Sequence, residues 1–182
     1  MTRTQRTRAS LLRSAMELFE ERGYDATTAA AIAARAGVTE MTFFRHFPSK
    51  DAVLIEDPYD PVIADAIERQ PAEMPPLAAA AAGVRDAWTS LPAPASSEVR
   101  DRLRVVSRTP SLRGALARNS VQTERAIADA LVARGSDPGD ARIAASATLG
   151  ALNASLLDWA DGEDADLGTA IDAALRVLGN ER

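Results

Sequence analysis

An all-α fold is predicted by three features of the sequence. Apolar residues recur at the three- and four-residue spacing of helices in most segments, as in Leu167, Ala170, Ile171, Ala174, Leu175 and Leu178. The hydrophobic share is 46% but the aromatic share only 4%, so the core must be built from Ala, Leu, Val and Ile, and abundant alanine favours helix. No stretch shows a convincing strand, whereas Ala36-Gly37-Val38 joins two short helical segments in a helix-turn-helix pattern.

Residues 1–9 carry Arg3, Arg6 and Arg8 with little apolar content and read as a flexible basic arm. Helix 1 follows, with Leu12, Ala15, Met16 and Phe19 as its apolar stripe, Leu11 and Leu18 widening it, and Gly23 ending it. Helix 2 spans Thr28 to Arg35. Gly37 can take the positive φ of a sharp turn, and Thr39 can cap helix 3 through its hydroxyl. Pro48 limits helix 3, because a proline disfavours helical geometry in the residue before it. Phe19, Phe43 and Phe47 are expected in the core with Ile32, Ala36 and Val38.

Helix 4 begins at Ser49 or Lys50 and runs towards Asp57, where Pro58 and Pro61 should break or kink it before Val62 to Arg69 resumes. Gln70 to Pro76 reads as a loop, Leu77 to Leu91 as a helix, and Pro92 to Ser97 as a loop ending in an N-cap serine. Glu98 to Arg108 is helical, with Arg100, Arg104 and Arg108 in a row. Three further helices are expected over Ser111 to Ala133, Gly139 to Ala160 and Asp166 to Leu178.

The absence of cysteine removes disulfides, thiolate zinc sites and cysteine nucleophiles together. No apolar run approaches the ~20 residues that span a bilayer, and the basic start is not followed by a signal-peptide core, so a cytoplasmic protein is expected. Net charge is −5, but residues 1–50 hold eight basic against five acidic side chains while the remainder holds thirteen against twenty-one. That asymmetry suits a DNA-facing head on an acidic body, and equally suits ordinary surface charge. An enzyme would need a constellation that is not found: there is one histidine and no glycine-rich phosphate loop after a strand. Asp158, Asp161, Glu163, Asp164 and Asp166 lack the ordered spacing of a calcium loop. No cofactor or metal site is expected.

Thr27-Thr28, then Ile32-Ala33-x-x-Ala36-Gly37-Val38, then Thr42-Phe43-Phe44-Arg45-His46-Phe47-x-x-Lys50 resembles the DNA-binding signature of TetR-family transcriptional repressors, without a gap from about Leu11 to Leu54. The departures are Met41, where relatives often have a small residue, Phe44 in place of the usual tyrosine, and Ala29, Ala30 and Ala31, which give helix 2 no polar side chain. The resemblance implies a three-helix helix-turn-helix DNA-binding domain over residues 1–54 and a helical ligand-binding and dimerisation domain over 55–182. Helix 3 would enter the major groove of double-stranded DNA. There Thr42 can bond a base or phosphate, Met41 can touch a thymine methyl, and Glu40 can accept from a cytosine amino group or stand in solvent. Thr28, Thr39, His46 and Lys50 align with phosphate-contacting positions of the family, Phe44 with a contact position lacking its hydroxyl. Arg45 reads either as a phosphate clamp or as a salt bridge within the domain.

The last two helices would pair across a two-fold axis as a four-helix bundle, with Ala147, Gly150, Ala151, Ala154, Ile171, Leu175 and Leu178 at the homodimer interface. A dimer places its two recognition helices about 34 to 36 Å apart or more, which calls for a palindromic operator. The likeness of Pro110 to Arg113 and Trp159 to one branch of the family implies a small apolar, acyl-CoA-like effector. Candidate effector contacts are Trp88, Arg104, Arg108, Asn119, Thr123 and Asn153, the three polar ones being equally readable as satisfied core residues or dimer contacts. The function so implied is a ligand-responsive repressor. A dimeric helical scaffold with a degenerate head is the alternative that Met41 and Phe44 raise.

Overall fold

The computed structural model describes residues 2–55, 60–90, 96–162 and 166–179, excepting the side chains of 96, 113 and 117. Ten α-helices are present among them and no strand. The described chain divides into two compact units, one of Met1–Glu56 with Asp101–Leu116, the other of Asp57–Arg100 with Ala117–Arg182.

In the first unit, α1 (Arg3–Arg22) begins far earlier than the apolar stripe indicates, so the basic segment is helix and not a loose arm. A capping box is the cause: Thr2 Oγ1 accepts from the Gln5 amide at 3.2 Å while Gln5 Oε1 accepts from the Thr2 amide at 2.7 Å. Its buried face is Leu11, Ser14, Ala15, Leu18 and Phe19, so Leu12 and Met16 are only half-buried. Gly23, at φ 80, stops the helix.

Helices α2 (Ala29–Arg35) and α3 (Glu40–His46) have seven residues each. So short a helix is unstable alone and depends on caps and burial. Thr28 Oγ1 accepts from the Ala31 amide at 3.1 Å and Thr39 Oγ1 from the Thr42 amide at 3.2 Å. Gly37, at φ 70, makes the turn between them. Ile32 and Phe43 are fully buried and Phe47 nearly so, with the Phe43 and Phe47 rings 5.7 Å apart. Helix α4 (Ala52–Ile55) buries Ala52, Val53 and Leu54. The rest of this unit comes from the second half of α7 (Ser96–Arg108), a 3-10 turn at Pro110–Leu112 and the start of α8 (Arg113–Ala133). There Val106, Leu112 and Ala115 are buried, and Ser111 Oγ donates to Asp25 Oδ1 at 2.7 Å.

In the second unit, α5 (Asp60–Glu68) starts at Asp60 with Pro61 in its first turn, where a missing amide costs nothing; Pro61 therefore opens a helix rather than breaking one. Pro58 and the expected 92–95 loop lie outside the described residues, and Ser97 is already helical. Helix α6 (Pro76–Ser90) crosses α5 so closely that a Cβ on Gly83 would stand 2.8 Å from the Ile67 backbone. Helix α9 (Pro138–Asp161) starts at Pro138, one residue before the expected Gly139, because Asp137 accepts from the Gly139 amide at 2.8 Å and Asp140 at 3.2 Å. The core joins Ile67, Ala79, Ala80, Ile127, Ala130, Leu131, Ala141, Ala144 and Ala145. Arg134 donates to the Met74 carbonyl at 2.8 Å and also to that of Pro71, pinning the α5–α6 loop.

Helix α10 (Leu167–Gly179) packs on α9 and α6 through Leu167, Ala170, Ile171, Ala174 and Leu175. Ile171 and Leu175 are buried within their own chain, and Val177, 80% exposed, is the apolar residue that α10 turns outward. No helix of the described residues is long and apolar enough to cross a membrane.

The Gly83 crossing has a direct consequence. Gly83→Ala should lower unfolding free energy by about 1 to 3 kcal/mol in urea denaturation, despite alanine's better helix propensity, because the Ile67 backbone cannot give way. An unchanged midpoint would mean that the two helices are not in contact at this point.

Candidate nucleic-acid interface

Helix α3 presents one face outward. Glu40, Met41, Phe44 and Arg45 are exposed, Met41 at 81% and Phe44 at 48%, while Phe43 is at 0%. The Phe44 ring stands edge-on to Phe43, centroids 5.3 Å apart, which fixes its direction. Thr42 is half-buried and its hydroxyl lies 3.0 Å from that of Thr39, so these two residues first stabilise the start of the helix. Thr28 has the same structural role on α2 and remains exposed.

Arg8 holds the other end of α3. Its guanidinium donates to the His46 carbonyl at 2.8 Å and lies 4.2 Å over the Phe47 ring. The contact is long-range and had no local signal beyond the basic character of residues 3–8. His46 itself is half-buried.

Lys50, the only lysine of the chain, turns inward. Its ammonium donates to the Tyr24 carbonyl at 2.8 Å and the Thr27 carbonyl at 2.9 Å, and sits 3.8 Å over the Tyr24 ring. It thereby ties the start of α4 to the α1–α2 corner. Partial burial holds its amine below the ordinary lysine range, partly offset by Asp25 and Asp51. Burial, helped by the same two carboxylates, pushes the Tyr24 phenol up to about 12. Arg35 is likewise paired within the unit, with Glu21 at 2.7 Å and Glu17 at 3.5 Å. The Arg35 hydrogen bond holds the Glu21 carboxyl below the usual range.

The expected effector contacts are divided between the two units. Arg104 and Arg108 fall in the first unit, whereas Trp88, Asn119, Thr123 and Asn153 belong to the second. Thr123 is buried and its hydroxyl donates to Asp60 Oδ2 at 3.1 Å; Asn153 Nδ2 donates to Ser120 Oγ at 3.4 Å. Trp88 and Asn119 are half-buried. Arg100 stacks 4.5 Å over the Trp159 ring, so the arginine row of α7 is not a uniform charged face. Thr148, fully buried on α9, has a hydroxyl with no hydrogen-bond partner and was missed by the sequence reading because a single threonine in an alanine-rich helix carries no periodic signal. Among the described residues no acidic or histidine group could hold a metal ion; Glu163 and Asp164 lie outside them.

Two measurements check the Lys50 and Tyr24 geometry. Lys50→Ala should cost about 1 to 2 kcal/mol of stability without any DNA present, since two charged hydrogen bonds and a cation–π contact are lost. In Tyr59→Phe, where Tyr24 is the remaining tyrosine, phenolate absorbance should rise with a midpoint near 12. Because that folded value is above the ordinary 10.0, the associated stability is intact below pH 10 and lost as pH climbs to about 12. A midpoint at 10 would place the phenol in solvent.

The comparisons agree with this architecture from both ends of the chain. The family described as "Bacterial regulatory proteins, tetR family" matches residues 11–56, and the "MftR C-terminal domain" matches residues 74–182. The HTH-type transcriptional regulator TcmR of Streptomyces glaucescens is 35% identical over 145 residues, which cover 71% of this chain and 61% of TcmR. NalD of Pseudomonas aeruginosa, the secondary repressor of the MexAB-OprM multidrug efflux pump, superposes with a TM-score of 0.59 at 26% identity, covering 97% of this chain and 96% of NalD. FadR of Thermus thermophilus, solved in complex with lauroyl-CoA, shares the fold at a TM-score of 0.50 and 24% identity, covering 94% and 92% of the two chains. These relatives are regulators and not enzymes. The two family matches, falling on the helix-turn-helix unit and on the helices that follow it, show that the chain belongs to the TetR family of bacterial transcriptional regulators.

Proposed function

We propose that the protein is a cytoplasmic, dimeric repressor that occupies a palindromic DNA operator and leaves it when a small apolar effector binds. The observation that carries this reading is the capped, seven-residue α3 whose outward face offers Glu40, Met41, Phe44 and Arg45 above a buried Phe43. Its head is the helix-turn-helix segment of residues 1–54, and residues 55–182 supply effector binding and dimerisation.

A pairing surface is supported by α9, where Ile143, Ala147, Gly150 and Ala154 form an exposed stripe and nothing lies within 4 Å of a Cβ added to Gly150. Small residues at such spacing let two helix axes approach closely. Leu178 and Ala151, both half-buried, flank it in this reading. An apolar effector with one polar end is supported by the polar side chains set into apolar helix faces, Asn119, Thr123, Thr148 and Asn153, with Trp88 as an apolar wall. An acyl-CoA-like molecule is the first class to test.

Release follows from a population shift: the effector stabilises a spacing of the two heads that does not fit the operator, so operator and effector weaken each other reciprocally. The chain passes between the two units within α7 and α8 as well as through residue 56, which gives three covalent routes for that coupling. A dimeric scaffold without DNA affinity is the competing reading, favoured by a Lys50 that is engaged within its own unit and a Phe44 with no hydroxyl.

Selection of bound sequences from a random double-stranded pool separates the two, a recovered palindrome supporting the repressor and a folded dimer that enriches nothing supporting the scaffold. Arg45→Ala should then weaken operator binding by about tenfold and reduce the salt slope by about one, with no change in thermal unfolding. Gly150→Arg should convert the dimer to a helical monomer in sedimentation, because the stripe has no room for a large charged side chain between two helices.

A further inference from the structure

The exposed face of α3 points to a specific kind of base readout: we infer that Met41 and Phe44 together read thymine methyl groups, so that the operator half-site is recognised in large part by apolar contact rather than by hydrogen bonds. The inference rests on the DNA-binding reading of the head and names what that head recognises. At about 100° per residue, Met41 and Phe44 lie about 60° apart, in the middle of the outward arc, with Glu40 and Arg45 at its edges. Met41 is the most exposed large apolar residue among the described residues, and Phe44 is held in place by its edge contact with the buried Phe43 ring.

The polar groups nearby are poor substitutes. The Thr42 hydroxyl pairs with that of Thr39, and Thr39 and Thr28 each accept a helix-capping hydrogen bond. Arg45 is the single cation on the outward face of α3, and neither Asn nor Gln stands there to pair with adenine. Of all base edges in the major groove, the thymine C5-methyl is the one apolar group. Setting a thioether and an aromatic ring against a cytosine amino group or the guanine O6 and N7 would strip those groups of water with nothing returned. The pair therefore favours thymine and also disfavours G·C pairs at the same positions.

The test uses the full-length protein and the operator recovered by selection. Each thymine of one half-site is replaced in turn by deoxyuridine, which removes the methyl alone. One or two positions should lose about three- to tenfold in affinity, the scale of burying a single methyl group. Met41→Ala should abolish the thymine-over-uracil preference at one of them, and Phe44→Ala at that or the neighbouring position, while other positions keep their ratios. Equal binding of thymine and uracil throughout, a half-site core without thymine, or a preference that survives both substitutions overturns the inference and leaves DNA binding intact. Failure to enrich any sequence overturns the DNA-binding reading itself and this inference with it.

Discussion

Close approach of helix axes is the constraint on which this structure depends. A chain with 4% aromatic residues cannot fill wide spaces between helices, so the helices must come together until alanine side chains meet. That is what the second unit shows, where Ala79, Ala80, Ala130, Ala141, Ala144 and Ala145 form much of one core around Ile67, Ile127 and Leu131. Alanine loses no side-chain entropy on burial, which offsets the modest area each residue removes from water. The cost is intolerance to enlargement, and Gly83 against Ile67 is its extreme point. In the first unit the economy is different: two helices too short to be stable alone are held by threonine caps and by Phe43 and Phe47, half of the chain's phenylalanines.

What was legible in the sequence was local chemistry. Gly23 and Gly37 adopt the positive φ their positions call for, and Thr28 and Thr39 cap as their hydroxyls predict, because a turn or cap is decided within four residues. Periodicity located the long helices to within a residue or two. It failed at the basic start, where Thr2 and Gln5 complete a capping box that composition hides. It also could not say which apolar residues of α10 meet their own chain: Ile171 and Leu178 belong to one stripe in the sequence, yet one is buried and the other half-exposed.

The candidate site divides along the same line. Helix α3 could be placed from the motif alone. The roles of Arg8 and Lys50 could not, since each depends on a partner more than twenty residues away. Positive charge in the head is therefore used first for cohesion: Arg8 on Phe47, Lys50 on Tyr24, Arg35 on Glu21. The expected effector contacts were least legible, because a polar residue on an apolar helix face can satisfy a neighbour, as Thr123 does with Asp60, as readily as a ligand.

The first unit is not a continuous stretch of chain. Val106, Leu112 and Ala115 are buried in a segment grouped with it, and Ser111 bonds to Asp25 across 86 residues of sequence. Heads and bodies of this kind are thus not interchangeable cassettes. A chimera joined at residue 56 would set a foreign α7–α8 corner beside Asp25, so recombination between relatives has to carry the corner along with the head it covers.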